Sequence, residues 1–185
     1  MIPLVENQNF NSDKPLEKAE YENCSFHNYD FGSKNLSEFI FSDCEFLDCD
    51  FSNCILKNTS FREVTFSNCK MLGLRFDECS DFLLSFHFIS CTLSFSSFYK
   101  LKIKGSKFEG SKMEQVDFTE TNLSKALFHN CDLKAAIFQA TNLENSNLET
   151  AYNFSIDPEN NHIKKAKFSS DNIRGLLTKY NIIIH

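Results

Sequence analysis

Apolar side chains return every fifth residue along most of this 185-residue chain. One series runs Tyr21, Phe26, Phe31, Leu36, Phe41, Phe46, Phe51, Leu56, Phe61, Phe66, Met71, Phe76, Asp81, Phe86. A second, offset by two residues, runs Phe88, Leu93, Phe98, Ile103, Phe108, Met113, Phe118, Leu123, Phe128, Leu133, Phe138, Leu143, Leu148. Of these 27 positions 26 are apolar, in a chain that is 42% hydrophobic overall, so composition does not explain the spacing. A helix repeats at about 3.6 residues and a strand at about 2, and neither puts every fifth side chain on one face. A heptad fails too. The period requires a chain that turns a corner every five residues.

Four such sides close a coil of about 20 residues, and coils then stack at roughly 4.8 Å by main-chain hydrogen bonds. A higher order in the sequence supports four sides. Phe88, Phe108 and Phe128 fall on one side, Phe98, Phe118 and Phe138 on the opposite one, and Leu93, Met113, Leu133 and Ile103, Leu123, Leu143 between them. In the first series Phe26, Phe46, Phe66 and Phe86 form one expected column. The prediction is an all-β solenoid of six to seven coils. Two residues before each centre the chain prefers small types, including every one of its eight Cys. One before the centre it often places Asp or Asn (Asp30, Asp50, Asp117, Asn122, Asp132, Asn142, Asn147), types that hydrogen-bond their own backbone at a corner.

The stretches Thr121-Asn122-Leu123, Cys131-Asp132-Leu133, Thr141-Asn142-Leu143 and Ser146-Asn147-Leu148 resemble the repeat of the pentapeptide-repeat proteins, small residue–(Asp/Asn)–Leu/Phe. The resemblance covers about residues 19–151, with one more unit at Ala166-Lys167-Phe168, and implies a right-handed quadrilateral β-helix. Tyr29, Lys34, Phe39, Leu74, Leu84 and Leu101 are large for the small slot. For Lys34, near the end of the coil, the stem is expected to leave the open end and keep its ammonium wet.

The domain reading has three parts. Residues 1–18, with Pro3 and Pro15, are expected to be an irregular N-terminal cap. Residues 19–151 are the solenoid, with a register break at 80–88 where Phe76 to Phe88 spans 12 residues instead of 10, read as a two-residue bulge or bent corner in the tract Ser80-Asp81-Phe82-Leu83-Leu84-Ser85; whether Phe86 or Phe88 points inward stays open. Residues 152–185 hold a polar loop, the last repeat, a short capping α-helix and an apolar terminal strand. For that helix, Ser169-Ser170-Asp171 offers an N-cap, and Ile173, Leu176, Leu177 and Tyr180 form one apolar stripe. With Ile182, Ile183 and Ile184 they make a candidate homodimer interface, because an apolar edge invites a second copy.

Eight Cys raise the ideas of a disulfide framework or a metal site. Their position in the small slot, in steps of five without CxxC, favours packed free thiols. Cys24 over Cys44 and Cys49 over Cys69 are expected to stack in adjacent coils. Free thiols, the absence of a basic or long apolar start in Met1–Phe10 and the lack of an apolar stretch long enough to span a bilayer point to a cytoplasmic protein, read as bacterial, with no membrane association.

Charge is uneven. Residues 1–90 carry 15 acidic and 7 basic groups, net −8, and residues 91–185 carry 10 and 12, net +2, summing to −6. Asp30, Asp43, Glu45, Asp48 and Asp50 form a candidate partner-binding patch, with Asp30 and Asp50 stacked. Lys100, Lys102, Lys104, Lys107 and Lys112 wrap the middle, without the interleaved exposed aromatics that would make direct nucleic-acid binding expected. The His residues (27, 87, 129, 162, 185) are scattered, no Gly-rich phosphate loop is present, and a filled coil offers no pocket of ligand size. No enzyme, metal or cofactor is expected. The functional reading is a protein-binding module acting through its outer surface. Likeness to the quinolone-resistance (Qnr-type) members of the family implies an alternative, a dimeric DNA mimic binding DNA gyrase or topoisomerase IV.

Overall fold

The computed structural model describes residues 2–11 and 16–183. Eleven short strands carry the coil: β1 (Leu4–Glu6), β2 (Asn9–Asn11), β3 (Glu20–Glu22), β4 (Ser25–His27), β5 (Ile40–Ser42), β6 (Glu45–Leu47), β7 (Ser60–Arg62), β8 (Val64–Ser67), β9 (Phe86–Ile89), β10 (Lys107–Glu109) and β11 (Leu127–His129). All pairing is parallel. One sheet runs β1-β3-β5-β7 and the other β11-β10-β9-β8-β6-β4-β2. The remaining two sides pair through single bridges such as Asp30 to Asp50 and Asn35 to Ile55. Away from the N-terminal coil and the register break, each contact joins residues 20 apart on four successive sides, which is the right-handed quadrilateral β-helix.

All 26 apolar positions of the two series are buried. Rings stack along the axis and meet edge-on across it. Phe46 lies 5.1 Å from Phe66 at an interplanar angle of 13°, whereas Phe46 and Phe51 meet at 80°. Each buried Phe contributes on the order of 2–3 kcal/mol. Two residues past the centre the chain turns through a left-handed φ, for example Asn28 (55°), Asp48 (55°) and Asn68 (54°). Asn and Asp tolerate that region best, yet Ala135, Ala140 and Phe95 adopt it too. Their cost is offset by coil-to-coil hydrogen bonds such as Asp48 N to Ser67 O at 3.0 Å. The Asp and Asn before each centre bond their own backbone: Asp30 Oδ1 accepts from Gly32 N, Asn122 Oδ1 from Ser124 N and Asn142 Oδ1 from Glu144 N.

The small slot does more than save space. Thr59, Thr121 and Thr141 each donate their hydroxyl at 2.8 Å to the carbonyl of Leu36, Phe98 and Phe118 in the coil below. The thiols of Cys44, Cys49, Cys69, Cys91 and Cys131 point the same way, toward Tyr21, Phe26, Phe46, Phe66 and Phe108. All eight Cys are free and buried. Burial pushes the Cys44, Cys54 and Cys131 thiols up to about 12, so they stay protonated and remain donors. The Lys34 side chain is exposed, and its ammonium reaches the Asp30 carbonyl.

The register break resolves cleanly. Phe66 pairs with Phe88 and Val64 with Phe86, a spacing of 22. The ring column therefore continues through Phe88, which stacks on Phe66 at 5.4 Å and on Phe108 at 5.3 Å, and not through the expected Phe86. Phe86 takes the small slot and fills the core beside Phe61 and Phe76, where Asp81 turns out to solvent. The two extra residues emerge as a bulge that exposes Phe82 and Leu83. Its ends stay bonded to the coil below, through Ser80 N to Thr59 O and Ser85 N to Phe61 O.

Both ends differ from expectation. Residues 4–11 are not an irregular cap: β1 and β2 add a coil, pairing Val5 with Tyr21 and Phe10 with Phe26 at a spacing of 16. The coil also continues past Ala151, since Asn142 bridges His162 and Asn147 bridges Lys167. Beyond it no α-helix forms among the described residues. Ile173–Leu176 and Thr178–Tyr180 are short 3-10 turns. Ser169 and Asn172 bond each other's backbone, and the Asn172 amide donates to the Leu148 and Ala151 carbonyls, closing the last coil.

Replacing Thr121 by Val keeps the shape but removes the hydroxyl donor. The Phe98 carbonyl retains its bond from Leu101 N, so a loss of about 1 kcal/mol is expected in denaturant unfolding. Thr121→Cys, which restores a donor used elsewhere in the same slot, is expected to recover part of it.

Candidate interaction surfaces

Because the interior is filled by side chains, the chemistry left to this chain lies on four ruled walls and two ends. The acidic residues are placed by the repeat. Asp43 and Asp48 occupy left-handed corners, Glu45 points outward from β6, and Asp30 and Asp50 bridge in adjacent coils as expected. They are brought onto two neighbouring corners rather than into one focus. The column does not stay acidic: above Asp30 and Asp50 stand Lys70, Thr92, Lys112 and Asp132.

On the adjoining corner, charge changes sign along the rod. Its N-terminal part carries Glu6, Glu22, Asp43, Glu45 and Glu63; its C-terminal part carries Lys104, Lys107, Lys125 and the Lys164–Lys167 group. None of these forms an ion pair among the described residues, whereas Lys100 pairs with Glu120 and Lys134 with Glu114; the same corner also holds two charges of the other sign, Arg62, which pairs with Glu20, and the half-buried Glu144. Phe82 and Leu83 sit between the two parts. Asp43, Arg62, Glu63, Leu83, Lys102 and Lys104 share one shallow depression there. The Arg62 guanidinium lies 5.4 Å over the Phe82 ring. Of the two forms the sequence leaves open for this tract, a two-residue bulge or a bent corner, the structure takes the bulge; that it presents Phe82 and Leu83 to solvent is not read from the sequence.

The C-terminal end only partly matches the expected apolar interface. Leu176 is buried against the last coil and Leu177 half-buried, while Ile173, Tyr180, Ile182 and Ile183 are exposed; Ile184 lies outside the described residues. No strand forms at Ile182–Ile183. Tyr180 donates to Glu159 at 3.0 Å. The Lys179 ammonium reaches Asp157 and Glu159, both at 2.6 Å, and holds their carboxyls below the usual range. An open groove runs between Tyr152–Ser155 and the turns at Asp171–Thr178, a departure from the expected smooth surface. Among the described residues no cluster of three or more His, Cys, Asp or Glu could hold a metal ion, and no helix is long and apolar enough to cross a membrane. His87 bonds Glu109 at 2.8 Å, a pairing on the wall of the rod.

Gly175 fixes how the tail docks. A Cβ there would meet Phe154 ring carbons at 2.5 and 2.6 Å and the Phe154 carbonyl at 2.6 Å. Gly175→Ala is expected to lift the tail, break the bond from Ile156 N to Gly175 O and destabilise by about 1–3 kcal/mol. Hydrogen exchange should accelerate at Ile156 and residues 173–180 and stay unchanged in the coils around Phe108.

Known proteins place the fold in context. The structure resembles a trypsin-treated variant of QnrB1, a plasmid-mediated fluoroquinolone resistance protein, with a TM-score of 0.67 at 16% identity over 100% of this chain and 98% of that one. Full-length QnrB1 gives 0.58 at 17% identity, covering 97% and 100%. No curated protein matches the chain by sequence. The family model for pentapeptide repeats (8 copies) matches residues 44–80, and that for the pentapeptide repeat region matches residues 83–168. The two matches meet at the bulge, and between them they span both arms of the coil: this chain belongs to the pentapeptide-repeat family.

Proposed function

We propose that this protein is a non-enzymatic protein-binding module that acts through its outer walls. The observation that carries the reading is the division of labour in the repeat. Centres and slots are committed to packing, and the residues free to vary stand outward on a rigid lattice set by main-chain spacing. Such a lattice presents charge in register and recognises a partner by its charge pattern more than by a pocket. The Asp30, Asp48 and Asp50 corner is the part that takes a basic partner.

A second reading, binding to a type II topoisomerase as a DNA mimic, draws on the likeness to QnrB1. Duplex DNA carries one charge per roughly 1.7 Å of axis. The lysines at 70 and 112 break the acidic column well short of that density, so the general reading stands first.

Lysine already occupies this column, which makes Asp30→Lys/Asp50→Lys a test of surface charge that the fold tolerates. The wild type is expected to capture and cross-link a defined partner from cells of its source, and the variant to lose it while keeping its circular dichroism. An identical capture by both would reject this corner as the binding surface. Protection of purified gyrase from a quinolone in a supercoiling assay would instead support the second reading.

A further inference from the structure

The sign-segregated corner is complementary to itself. We infer that it is the contact surface for a second copy of this chain, lying antiparallel alongside the first. Two independent features meet there. First, the bulge exposes two large apolar side chains, Phe82 at 62% and Leu83 at 65%, that a soluble rod has no internal reason to show. Second, unpaired charge of opposite sign flanks the bulge on either side.

A two-fold axis across the corner at the bulge superposes each coil on the one equally far on the other side, as an isologous contact requires. One ladder makes the coil count unambiguous: Glu45, Thr65, His87, Lys107, Leu127, Asn147 and Lys167 pair in succession. One coil from the bulge, Glu63 and Arg62 both meet the Lys104–Lys107 segment, so that step is mixed in sign and the complementarity rests on the second and fourth. Two coils out, Asp43 and Glu45 meet Lys125. Four coils out, Glu6 meets Lys164, Lys165 and Lys167. The third step is not complementary, because Glu22 and the half-buried Glu144 share one column and face each other there. Phe82 and Leu83 of the two copies meet at the centre, where apolar anchors contribute most, and the charges form the rim.

The opposite arrangement, parallel and in register, would set acid on acid and lysine on lysine, so the pattern also selects the orientation. The edge is about 38 Å long at 4.8 Å per coil; a strip about 20 Å wide would bury roughly 800 Å² per copy, the size of a specific interface. Asp30, Asp48 and Asp50, on the adjoining corner, stay free for another partner.

Sedimentation velocity on the full chain tests this. A dimer is expected in 50 mM salt and its weakening in 1 M salt, where screening acts over about 3 Å. Phe82→Asp should raise the dimer Kd about tenfold or more. Lys125→Glu and Asp43→Lys/Glu45→Lys should each weaken the dimer, and the triple variant, which swaps the charges, should restore it. Circular dichroism confirms that each variant is folded. A monomer at ~100 μM in low salt would overturn the inference, as would a dimer indifferent to these changes. So would a dimer abolished by Ile183→Asp but not by Phe82→Asp, which would place self-association at the C-terminal end.

Discussion

Coil-on-coil stacking is the interaction on which everything else here depends. No single five-residue side is stable by itself, since it has no helical ladder and only three or four residues of strand. It becomes stable because the same position recurs one coil higher, about 4.8 Å away. Flat rings suit that spacing, as in the Phe column from Phe26 to Phe128. The slot donors add a second link between coils. Cys, Thr and Ser are interchangeable there because each is small and each carries a donor hydrogen, which explains a cysteine-rich chain whose thiols are neither bonded to one another nor exposed.

The regular part of this fold was legible in the sequence, because each inward residue answers to an identical environment. The centres, the slots and the Asx-bonded corners all follow from a count in fives. Where that identity fails, pattern reading becomes ambiguous. Phe86 and Phe88 are both apolar and both buried, and only the pairing of Val64 with Phe86 decides which is the centre. At the N-terminus the signal was present but short: Val5 and Phe10 are five apart, and the spacing then breaks before Tyr21. At the C-terminus a helical stripe was real as a pattern. The chain folds there as 3-10 turns, with Gly175 pressed against Phe154, a contact no periodicity encodes.

The surface was less legible for a physical reason. Outward positions have no common environment, so their residues are constrained only by what they meet. Net charge by halves signalled an asymmetry, but not that it concentrates on one corner with an apolar bulge at its midpoint. The insertion that breaks the register creates that bulge. A defect in packing order thereby presents two adjacent large apolar side chains, Phe82 and Leu83, on the wall, and the same coil separates the more acidic from the more basic arm.

The central claim is that stability resides in contacts between neighbouring coils. A double-mutant cycle on Phe108→Leu and Phe128→Leu, whose rings stack at 4.9 Å, measures it directly. The account predicts a coupling of about 0.5–1.5 kcal/mol for this pair, and additivity within about 0.5 kcal/mol for Phe46 with Phe128, several coils apart. Additivity for the stacked pair, or equal coupling for the distant one, would contradict it.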